Sequence, residues 1–213
     1  MVTVQDSERV LLDELADSAE LHLAQNYFSR FLPFIRILEP PPGRGNIPFE
    51  PWPHLMEVCD ILDSKKLLVW LKSRQTGASW LLAAYSLWMA QYHHGAVILL
   101  LSQGEEEAKK LLGKCKYIYE MLPPGLRVQT GIDSRQELTF PSMASAITAL
   151  PSTEKAGRSI TASLIIMDEA DFHEYAESSF AAVKPTIDDS GGQLIMVSTS
   201  NATSSGSLFK TMY

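Results

Sequence analysis

The stretch LLVWLKSRQTGAS, residues 67–79, decides the fold that this sequence predicts. Leu67–Leu71 is a short apolar run of the kind that forms a buried strand, and a helical stretch follows from Ser79 to about Tyr92. Between the two lies a turn that contains Gly77. A strand that passes through a glycine turn into a helix is typical of an α/β protein.

The rest of the chain repeats this alternation. An amphipathic, charged helix is predicted over Glu105–Met121. Buried strands are predicted at 96–101, 136–140, 146–149, 164–167 and 194–197, with a further helical stretch around 177–187. Apolar strands separated by helices indicate a mostly parallel sheet with helices on both faces, and in such sheets ligands bind at the carboxyl ends of the strands.

The turn after the first strand resembles a phosphate-binding loop. The standard loop reads GxxxxGK followed by Ser or Thr: its backbone N–H groups surround phosphates, its lysine reaches the terminal oxygens and its hydroxyl binds Mg²⁺. Gly77 and Ser79 have the right spacing, whereas Ala78 stands at the lysine position and Lys72 at the first glycine. Alone, this stretch is compatible with a phosphate site or with an ordinary strand–turn–helix connection.

A second strand end carries two carboxylates. Residues 164–167 are apolar and lead into Asp168 and Glu169, about 90 positions beyond the glycine turn. In a phosphate-loop enzyme the first acid supports Mg²⁺ and the next can deprotonate an attacking water, and we expect this strand to lie beside the first one. A solvated acidic turn is the simpler alternative. The combination with the loop favours nucleotide hydrolysis.

A third strand end is rich in hydroxyl groups. The apolar run 194–197 leads into Ser198, Thr199 and Ser200, whose hydroxyls could detect a γ-phosphate through hydrogen bonds. Alone this is a polar turn, but as the third such strand end it supports the same site.

Composition limits the possible classes of protein. The 213 residues carry 18 basic and 25 acidic side chains, and 18 − 25 gives a formal net charge of −7. This charge disfavours coating of nucleic acid through bulk attraction, although a local basic patch is possible. No apolar run approaches the roughly 20 residues that cross a bilayer, and the N-terminus does not resemble a secretion signal. Cys59 and Cys115 lack metal-ligand spacing, so we expect both to be buried thiols in a reducing compartment.

The N-terminal part of the chain differs from the rest. Residues 1–48 are predicted to form a helical appendage and a proline-rich connector, and residues 49–213 the main domain. Asp6 or Ser7 is a candidate cap for a helix that runs to about residue 27. Seven of the twelve prolines lie between Pro33 and Pro53, which predicts an extended connector without a regular helix or central strand.

Together, the segments KSRQTGAS, IMDEA and VSTSN resemble the ATPase domain of the large terminase subunit, the DNA-packaging motor of tailed bacteriophages. The resemblance covers about residues 49–213 and implies a P-loop NTPase fold of the ASCE, RecA-like type that binds ATP and Mg²⁺. Some members of that family carry the loop lysine at the start of the loop. Lys72 is thereby assigned the role of the missing lysine, and Arg74 is a second candidate for phosphate contact.

The resemblance implies roles for further residues. Ser79 and Asp168 would bind Mg²⁺, Glu169 would be the catalytic base, and Arg158 would act on a neighbouring subunit's site as an arginine finger. The hydroxyl-rich strand end would couple hydrolysis to movement through Ser198, Thr199 and Ser200. The nucleotide phosphates would lie against Lys72, Ser73, Arg74, Gln75, Thr76, Gly77, Ala78 and Ser79.

The base-binding part of the site departs from the family pattern. Members usually have a glutamine upstream of the loop that recognises adenine, and here Trp52 or His54 stands near that position. The contact to adenine is therefore open. On structural grounds we expect Trp52 to be a packing residue rather than a base-stacking one.

The function that the resemblance implies is ATP hydrolysis that drives double-stranded viral DNA into a prohead. The protein would be virus-encoded, act in the host cytoplasm as a homo-oligomeric ring, and meet a portal and a small terminase subunit. DNA contacts would be to the backbone and independent of sequence, since no base-reading motif is present. The family's C-terminal nuclease domain is expected to be absent, because the sequence ends at Tyr213.

Two alternatives stay open. Asp168–Asp171 spells DEAD, so a superfamily-2 helicase is one. A degenerate nucleotide-binding module that does not hydrolyse ATP is the other.

Several charged side chains are predicted to have no role in the site. His93 and His94 close a helix and are expected to interact with its C-terminus rather than with a metal. The lysines of the charged helix are expected to form a solvated face with helical ion pairs, and these are Lys109, Lys110, Lys114 and Lys116. A role in DNA contact for this face, or for Arg127 and Arg135, is the weaker interpretation.

Overall fold

The computed structural model describes residues 17–151, 160–203 and 206–213, and it forms an α/β fold as predicted. Residues 17–26 are helical and are named α1. The other helices are α2 Phe28–Phe31, α3 Pro53–Ser64, α4 Ala78–Tyr92, α5 Glu105–Met121, α6 Ala176–Ser190 and α7 Leu208–Met212. The strands are β1 Arg36–Glu39, β2 Gly45–Pro48, β3 Leu67–Leu71, β4 Val97–Ser102, β5 Glu137–Phe140, β6 Ser145–Pro151, β7 Leu164–Asp168 and β8 Gln193–Ser198.

The main sheet has the strand order β3-β8-β7-β4-β6-β5. All neighbours are parallel except β5, which pairs antiparallel with β6 at the edge. The sheet is therefore mostly parallel, in agreement with the sequence-based prediction.

The prediction that the acidic strand lies beside the first strand is wrong. β8 lies between them, pairing Leu71 with Ser198 on one edge and Asp168 with Val197 on the other. All residues of β8 are buried, so this strand suits the interior of the sheet, where both edges are hydrogen-bonded. As a result the hydroxyl-rich strand end lies between the loop and the carboxylates.

Alternate residues of the central strands enter two different hydrophobic cores. In β4, Ile98 and Leu100 pack in the core on the α4 and α5 side, whereas Leu99 and Leu101 pack on the α6 and α7 side. This alternation follows from the two-residue repeat of a strand. Helix α4 is apolar around most of its circumference and is accordingly buried on nearly all sides. The residues that precede the site are thus held in a fixed sheet with helices on both faces.

The N-terminal residues pack into the same core as the main domain. Phe28, Phe31 and Ile35 are each at most 1% exposed and belong to the core on the α4 side. The indole N–H of Trp88 in α4 donates to the carbonyl of Ala24 at 2.9 Å. The division at residue 48 remains a prediction about the sequence, and the cap at Asp6 or Ser7 lies outside the described residues.

The proline-rich segment is not only an extended connector. β1 and β2 pair antiparallel as a separate two-stranded sheet, with Ile37 opposite Ile47. The prolines permit this because Pro40–Pro42 fall in the turn and Pro48 ends β2, where a missing N–H costs little. Pro53 is the first residue of α3, a position that proline favours.

Both cysteines are buried and free, as predicted. Burial raises the pKa of each thiol to about 12, so both are protonated at neutral pH. Among the described residues, no helix is long and apolar enough to cross a membrane.

Candidate nucleotide-binding and catalytic site

The predicted site residues meet at the carboxyl ends of β3, β8 and β7, which are consecutive parallel strands. Lys72 follows β3, Thr199 follows β8 and Glu169 follows β7. The backbone N–H of Lys72 donates to the carbonyl of Ser198 at 2.9 Å, so the sheet pairing continues to the first residue of the loop. The three strand ends identified in the sequence therefore form one site.

The loop between β3 and α4 turns through two residues with positive φ. Gln75 has φ 60° and Gly77 has φ 80°. A side chain at Gly77 would be strained by this backbone and would also meet Leu55 at 3.2 Å, which explains why glycine stands there. α4 starts at the next residue, and the first turn of a helix offers backbone N–H groups and a positive dipole end to an anion.

A cavity of about 390 Å³ lies over this loop and the N-terminus of α4. It is lined by Lys72, Arg74, Gln75, Thr76, Gly77, Ala78, Ser79, Trp80, Lys114 and Glu169. Two of these residues, Trp80 and Lys114, were not among the predicted site residues. Arg74 lies at its exposed side, which fits its place as the second candidate for phosphate contact.

Lys72 and Glu169 form an ion pair inside the site. The Nζ atom of Lys72 donates to Oε1 of Glu169 at 2.9 Å, and the lysine side chain is only 7% exposed. The other carboxylate oxygen, Oε2, accepts from the N–H of Thr199 at 3.2 Å and from the hydroxyls of Thr199 and Ser198 at 3.3 and 3.4 Å. Both oxygens of Glu169 are thus fixed by donors.

These donors set the charge of Glu169. Burial alone would raise its pKa, but the hydrogen bonds from Lys72 and Thr199 more than offset burial and hold the pKa below its usual range. The carboxylate is therefore ionised at neutral pH and can act only as an acceptor. Its backbone lies in the left-handed region, at φ 54° and ψ 44°, which for a non-glycine residue costs about 1 kcal/mol or more. Such strain concentrates at functional sites.

Asp168 lies next to the hydroxyl of Ser79. The Ser79 hydroxyl donates to Oδ2 of Asp168 at 3.3 Å. Burial raises the pKa of Asp168 above its usual range, and the charge of Lys72 offsets part of this effect. A buried carboxylate of this kind is stabilised by a nearby cation. The pair supplies one hydroxyl and one carboxylate oxygen, which is the type of donor that Mg²⁺ takes when the remaining ligands are phosphate oxygens and water.

The hydroxyl of Ser79 and the carboxylate of Asp168 are oxygen donors of the kind that Mg²⁺ prefers. No cluster of three or more His, Cys, Asp or Glu side chains that could hold a metal occurs in the described part of the chain. A dedicated all-protein cage is not what Mg²⁺ requires. The residues present therefore fit the ion that the resemblance implies.

His173 supports the acidic strand end and was not predicted. One of its ring nitrogens, Nε2, lies 2.8 Å from the carbonyl oxygen of Asp168, and the side chain is 7% exposed. Burial lowers its pKa, so the ring is neutral at neutral pH and Nε2 carries the proton that the carbonyl accepts. The only signal in the sequence is a histidine soon after the carboxylates, which is too weak to single it out.

Asp171 fastens the acidic strand end to the segment after β8. Its carboxylate accepts from the N–H of Asn201 at 2.6 Å, from the Ser207 hydroxyl, and forms an ion pair with Lys210 at 3.6 Å. Its own N–H donates to the hydroxyl of Ser198 at 3.1 Å. Asp171, the last residue of the DEAD sequence, therefore has a structural role in joining two segments.

Two aromatic residues upstream of the loop, Phe49 and Trp52, line a second cavity. Trp52 borders a cavity of about 240 Å³ together with Phe49, Thr76 and Gly77, so this cavity adjoins the phosphate-loop residues. The expectation that Trp52 is a packing residue is wrong, because Trp52 is 56% exposed just before the start of α3. His54 contacts the Trp52 ring edge-to-face at 5.6 Å between centroids and does not line the cavity.

The lysines of α5 other than Lys114 form ion pairs, but only Lys110 is solvated as predicted: its side chain is 72% exposed, against 16% for Lys109 and 20% for Lys116. Lys109 pairs with Glu105 at 2.7 Å, Lys110 with Glu107 at 3.4 Å, and Lys116 with Asp133. Lys114 is the exception: it lines the cavity over the loop, so the prediction of a solvated face is wrong for this residue. It lies on the border of the buried stripe of α5, which turns its side chain toward α4.

The remaining predicted residues have structural partners, are exposed, or lie outside the described part of the chain. Arg127 binds the backbone carbonyls of Leu122 and Glu120 at the end of α5, and Arg135 pairs with Glu106 at 3.3 Å, so both have structural partners. The hydroxyl of Thr76 donates to the Ser73 carbonyl at 3.4 Å, within the loop. Ser200 is exposed beyond β8. Arg158 lies outside the described residues.

This sheet order, with a glycine turn entering a helix and paired carboxylates two strands away, defines an α/β protein whose candidate ligand site lies at the carboxyl ends of its parallel strands. Residues 69–212, about two thirds of the chain, match the family model "Terminase large subunit, T4likevirus-type, N-terminal". The chain therefore belongs to the large terminase subunit family.

Solved structures support the same fold. An arginine-to-alanine mutant of the Thermus phage P74-26 large terminase ATPase domain matches with a TM-score of 0.63 at 16% identity, over 78% of this chain and 70% of that chain. The HK97 bacteriophage large terminase matches with a TM-score of 0.65 at 15% identity, over 85% of this chain and 39% of that one. The large terminase of the thermophilic bacteriophage D6E, solved in complex with ADP, matches with a TM-score of 0.50 at 10% identity, over 64% of this chain and 34% of that one.

The chain thus spans less than half of the HK97 and D6E terminases that it resembles. A search of curated proteins gave no match.

Proposed function

We propose that this chain is an ATPase domain that drives double-stranded viral DNA into a prohead. The observation that carries the proposal is the constellation at the three strand ends. Glu169 is held by Lys72 and Thr199, and it lies next to the Ser79–Asp168 pair and to the loop between β3 and α4. Family membership and the ADP complex of the D6E terminase support ATP as the nucleotide.

The loop residues would hold the phosphates through backbone N–H groups at the N-terminus of α4. Ser79 and Asp168 would bind Mg²⁺, which when present neutralises phosphate charge and orients the γ-phosphoryl group. Glu169 is ionised and would accept a proton from the attacking water. Lys72 would hold that carboxylate in position and, on moving to the phosphates, would release it for the water.

Ser198 and Thr199 would couple hydrolysis to movement. They bind the same oxygen of Glu169, so a change in the position of this carboxylate on hydrolysis is passed directly to the end of β8. Ser200, exposed next in the chain, would take part in the same segment. Trp52 would contact the nucleotide base at the second cavity, with His54 supporting its ring.

The proposal includes a ring of identical subunits. Arg158 would stabilise the transferring phosphoryl group in a neighbour's site, an effect worth about 10³-fold or more in rate. The ring would hold DNA through contacts to the DNA backbone. Family membership supports a portal and a small terminase subunit as partners, and the cytoplasm of the infected host as the location. Membership in the terminase family favours this function over a superfamily-2 helicase, and the intact Asp168–Glu169 pair favours it over a non-hydrolysing module.

The test is DNA-stimulated phosphate release. Glu169→Gln keeps an acceptor for Lys72 but cannot take a proton, so we expect at least about 10²-fold slower hydrolysis with ATP binding retained. Glu174→Gln, an exposed residue nearby, is the matched control and should behave as wild type. Hydrolysis by Glu169→Gln at the wild-type rate would refute the assigned base.

A mixing experiment tests the ring. Subunits with Arg158→Ala should regain activity when mixed with Glu169→Gln subunits, since a Glu169→Gln neighbour would supply its Arg158 to a site that still has Glu169. Mixtures that are no more active than their components would refute a finger that acts between subunits.

A further inference from the structure

Lys114 is a cation in the nucleotide cavity that comes from a helix other than the loop helix. It lies in α5 and lines the cavity together with Lys72, Ser79 and Glu169. Its ammonium lies 5.6 Å from the centroid of the Trp80 ring, and Trp80 is the residue directly after Ser79 on α4. The lysine therefore faces the first turn of α4 from across the cavity.

The aromatic contacts fix this position. The Trp80 ring packs edge-to-face with Tyr117 at 5.8 Å between centroids, joining the start of α4 to α5 one turn after Lys114. A cation over an aromatic face is favourable, but that contact is worth only about 1 kcal/mol. The contact with Trp80 therefore does not explain why Lys114 lies close to other cations.

The surroundings of Lys114 are unfavourable for a cation. The N-terminus of α4 is the positive end of a helix dipole, and the charge of Lys72 also acts against that of Lys114. Burial lowers the pKa of Lys114, and the negative charges of Asp168 and Glu169 offset only part of this. Among the described residues no carboxylate forms an ion pair with Lys114, because Glu169 is bound to Lys72 and Asp168 to Ser79.

A polyphosphate would satisfy all of these groups at once. We propose that Lys114 is a further phosphate-binding residue, which contacts the terminal phosphates of the nucleotide from α5. This rests on the proposed function of the site. Lys114 thereby adds a second cation to Lys72, in a site where Ala78 stands at the lysine position of the standard loop.

The test compares nucleotide binding by Lys114→Gln and by a matched control, Lys110→Gln. Lys110 lies one turn earlier on the same helix, but its side chain is 72% exposed and pairs with Glu107. Loss of a charged hydrogen bond to phosphate predicts a rise of about ten- to a hundredfold in the Kd for a fluorescent ATP analogue in Lys114→Gln. Lys110→Gln should stay within about twofold of wild type.

Tripolyphosphate separates a phosphate contact from general damage to the site. We expect Lys114→Gln to weaken competition by tripolyphosphate by the same factor as ATP, and to leave adenosine binding unchanged. Lys114→Arg keeps the charge and should recover most of the affinity. Equal binding of ATP by Lys114→Gln and wild type would overturn the proposal, as would an equal loss for adenosine.

The wild-type protein offers a test that needs no variant. The charged groups around the ammonium are Lys72, Arg74, Asp168 and Glu169. Because phosphate binds the protonated form, ATP affinity should fall as the pH rises above the lowered pKa of Lys114. An ATP affinity that stays constant between neutral pH and the ordinary lysine pKa of 10.5 would overturn the proposal. Absence of ATP binding by wild type would instead refute the proposed function, and this inference with it.

Discussion

The Lys72–Glu169 ion pair predicts an asymmetric response to mutation. Glu169→Ala leaves a lysine that is 7% exposed without its carboxylate, whereas Lys72→Met leaves a glutamate that is 32% exposed and still bound by Thr199 and Ser198. An uncompensated buried charge costs about 3 kcal/mol, which access to the cavity reduces to about 2 kcal/mol. Loss of one of several hydrogen bonds to Glu169 costs about 1 kcal/mol.

The double mutant Lys72→Met/Glu169→Ala removes both charges. We expect it to be destabilised by about 1–2 kcal/mol rather than the sum of about 3 kcal/mol, which gives a coupling energy of about 1–2 kcal/mol. The assay is urea unfolding at pH 7 followed by circular dichroism, with equal m-values required for all four proteins. Additive single effects, or a larger cost for Lys72→Met than for Glu169→Ala, would refute this account of the pair.

Two further predictions concern the same strand ends. The pKa of Glu169 is lower in the folded state than its ordinary value of 4.5. Its ionised form therefore stabilises the fold above pH 4.5, and this contribution is lost as the pH falls through the folded-state pKa. In acid titrations, the difference in free energy of unfolding between wild type and Glu169→Gln should shrink below about pH 4.5. A constant difference down to pH 2 would contradict it. Ser79→Ala should remove most of the increase in ATP affinity that Mg²⁺ gives the wild type and leave Mg²⁺-free binding unchanged, measured by fluorescence titration with and without a chelator; an unaltered Mg²⁺ effect would exclude Ser79 as a ligand.

Much of the fold follows from local sequence patterns. Helix α5 begins and ends where its charges and apolar spacing predict, over Glu105–Met121. The order of strands does not follow, because every central strand is equally apolar and nothing in the run 194–197 shows which neighbours it pairs with. The hairpin of β1 and β2 was also missed, since prolines mark turns and strand ends as readily as an extended connector.

The site was partly predictable for a similar reason. Strand ends carry their chemistry in consecutive letters, so Lys72, Asp168 and Thr199 could be found from sequence. Lys114 could not, because a lysine among other lysines and glutamates looks solvated until the facing helix is known. Its spacing was the available signal: it lies three residues after Leu111 and four before Ile118, both buried.

Asp171 and Glu169 hold the segment after β8 at two points. Glu169 binds it at Thr199, where nucleotide chemistry would act, and Asp171 binds it at Asn201, farther from the cavity. If the hydrogen bond between Glu169 and Thr199 breaks while that between Asp171 and Asn201 is kept, Thr199 can move but Asn201 stays in place. The two carboxylates, separated by one residue, would thus limit the motion of this segment to a rotation about Asn201.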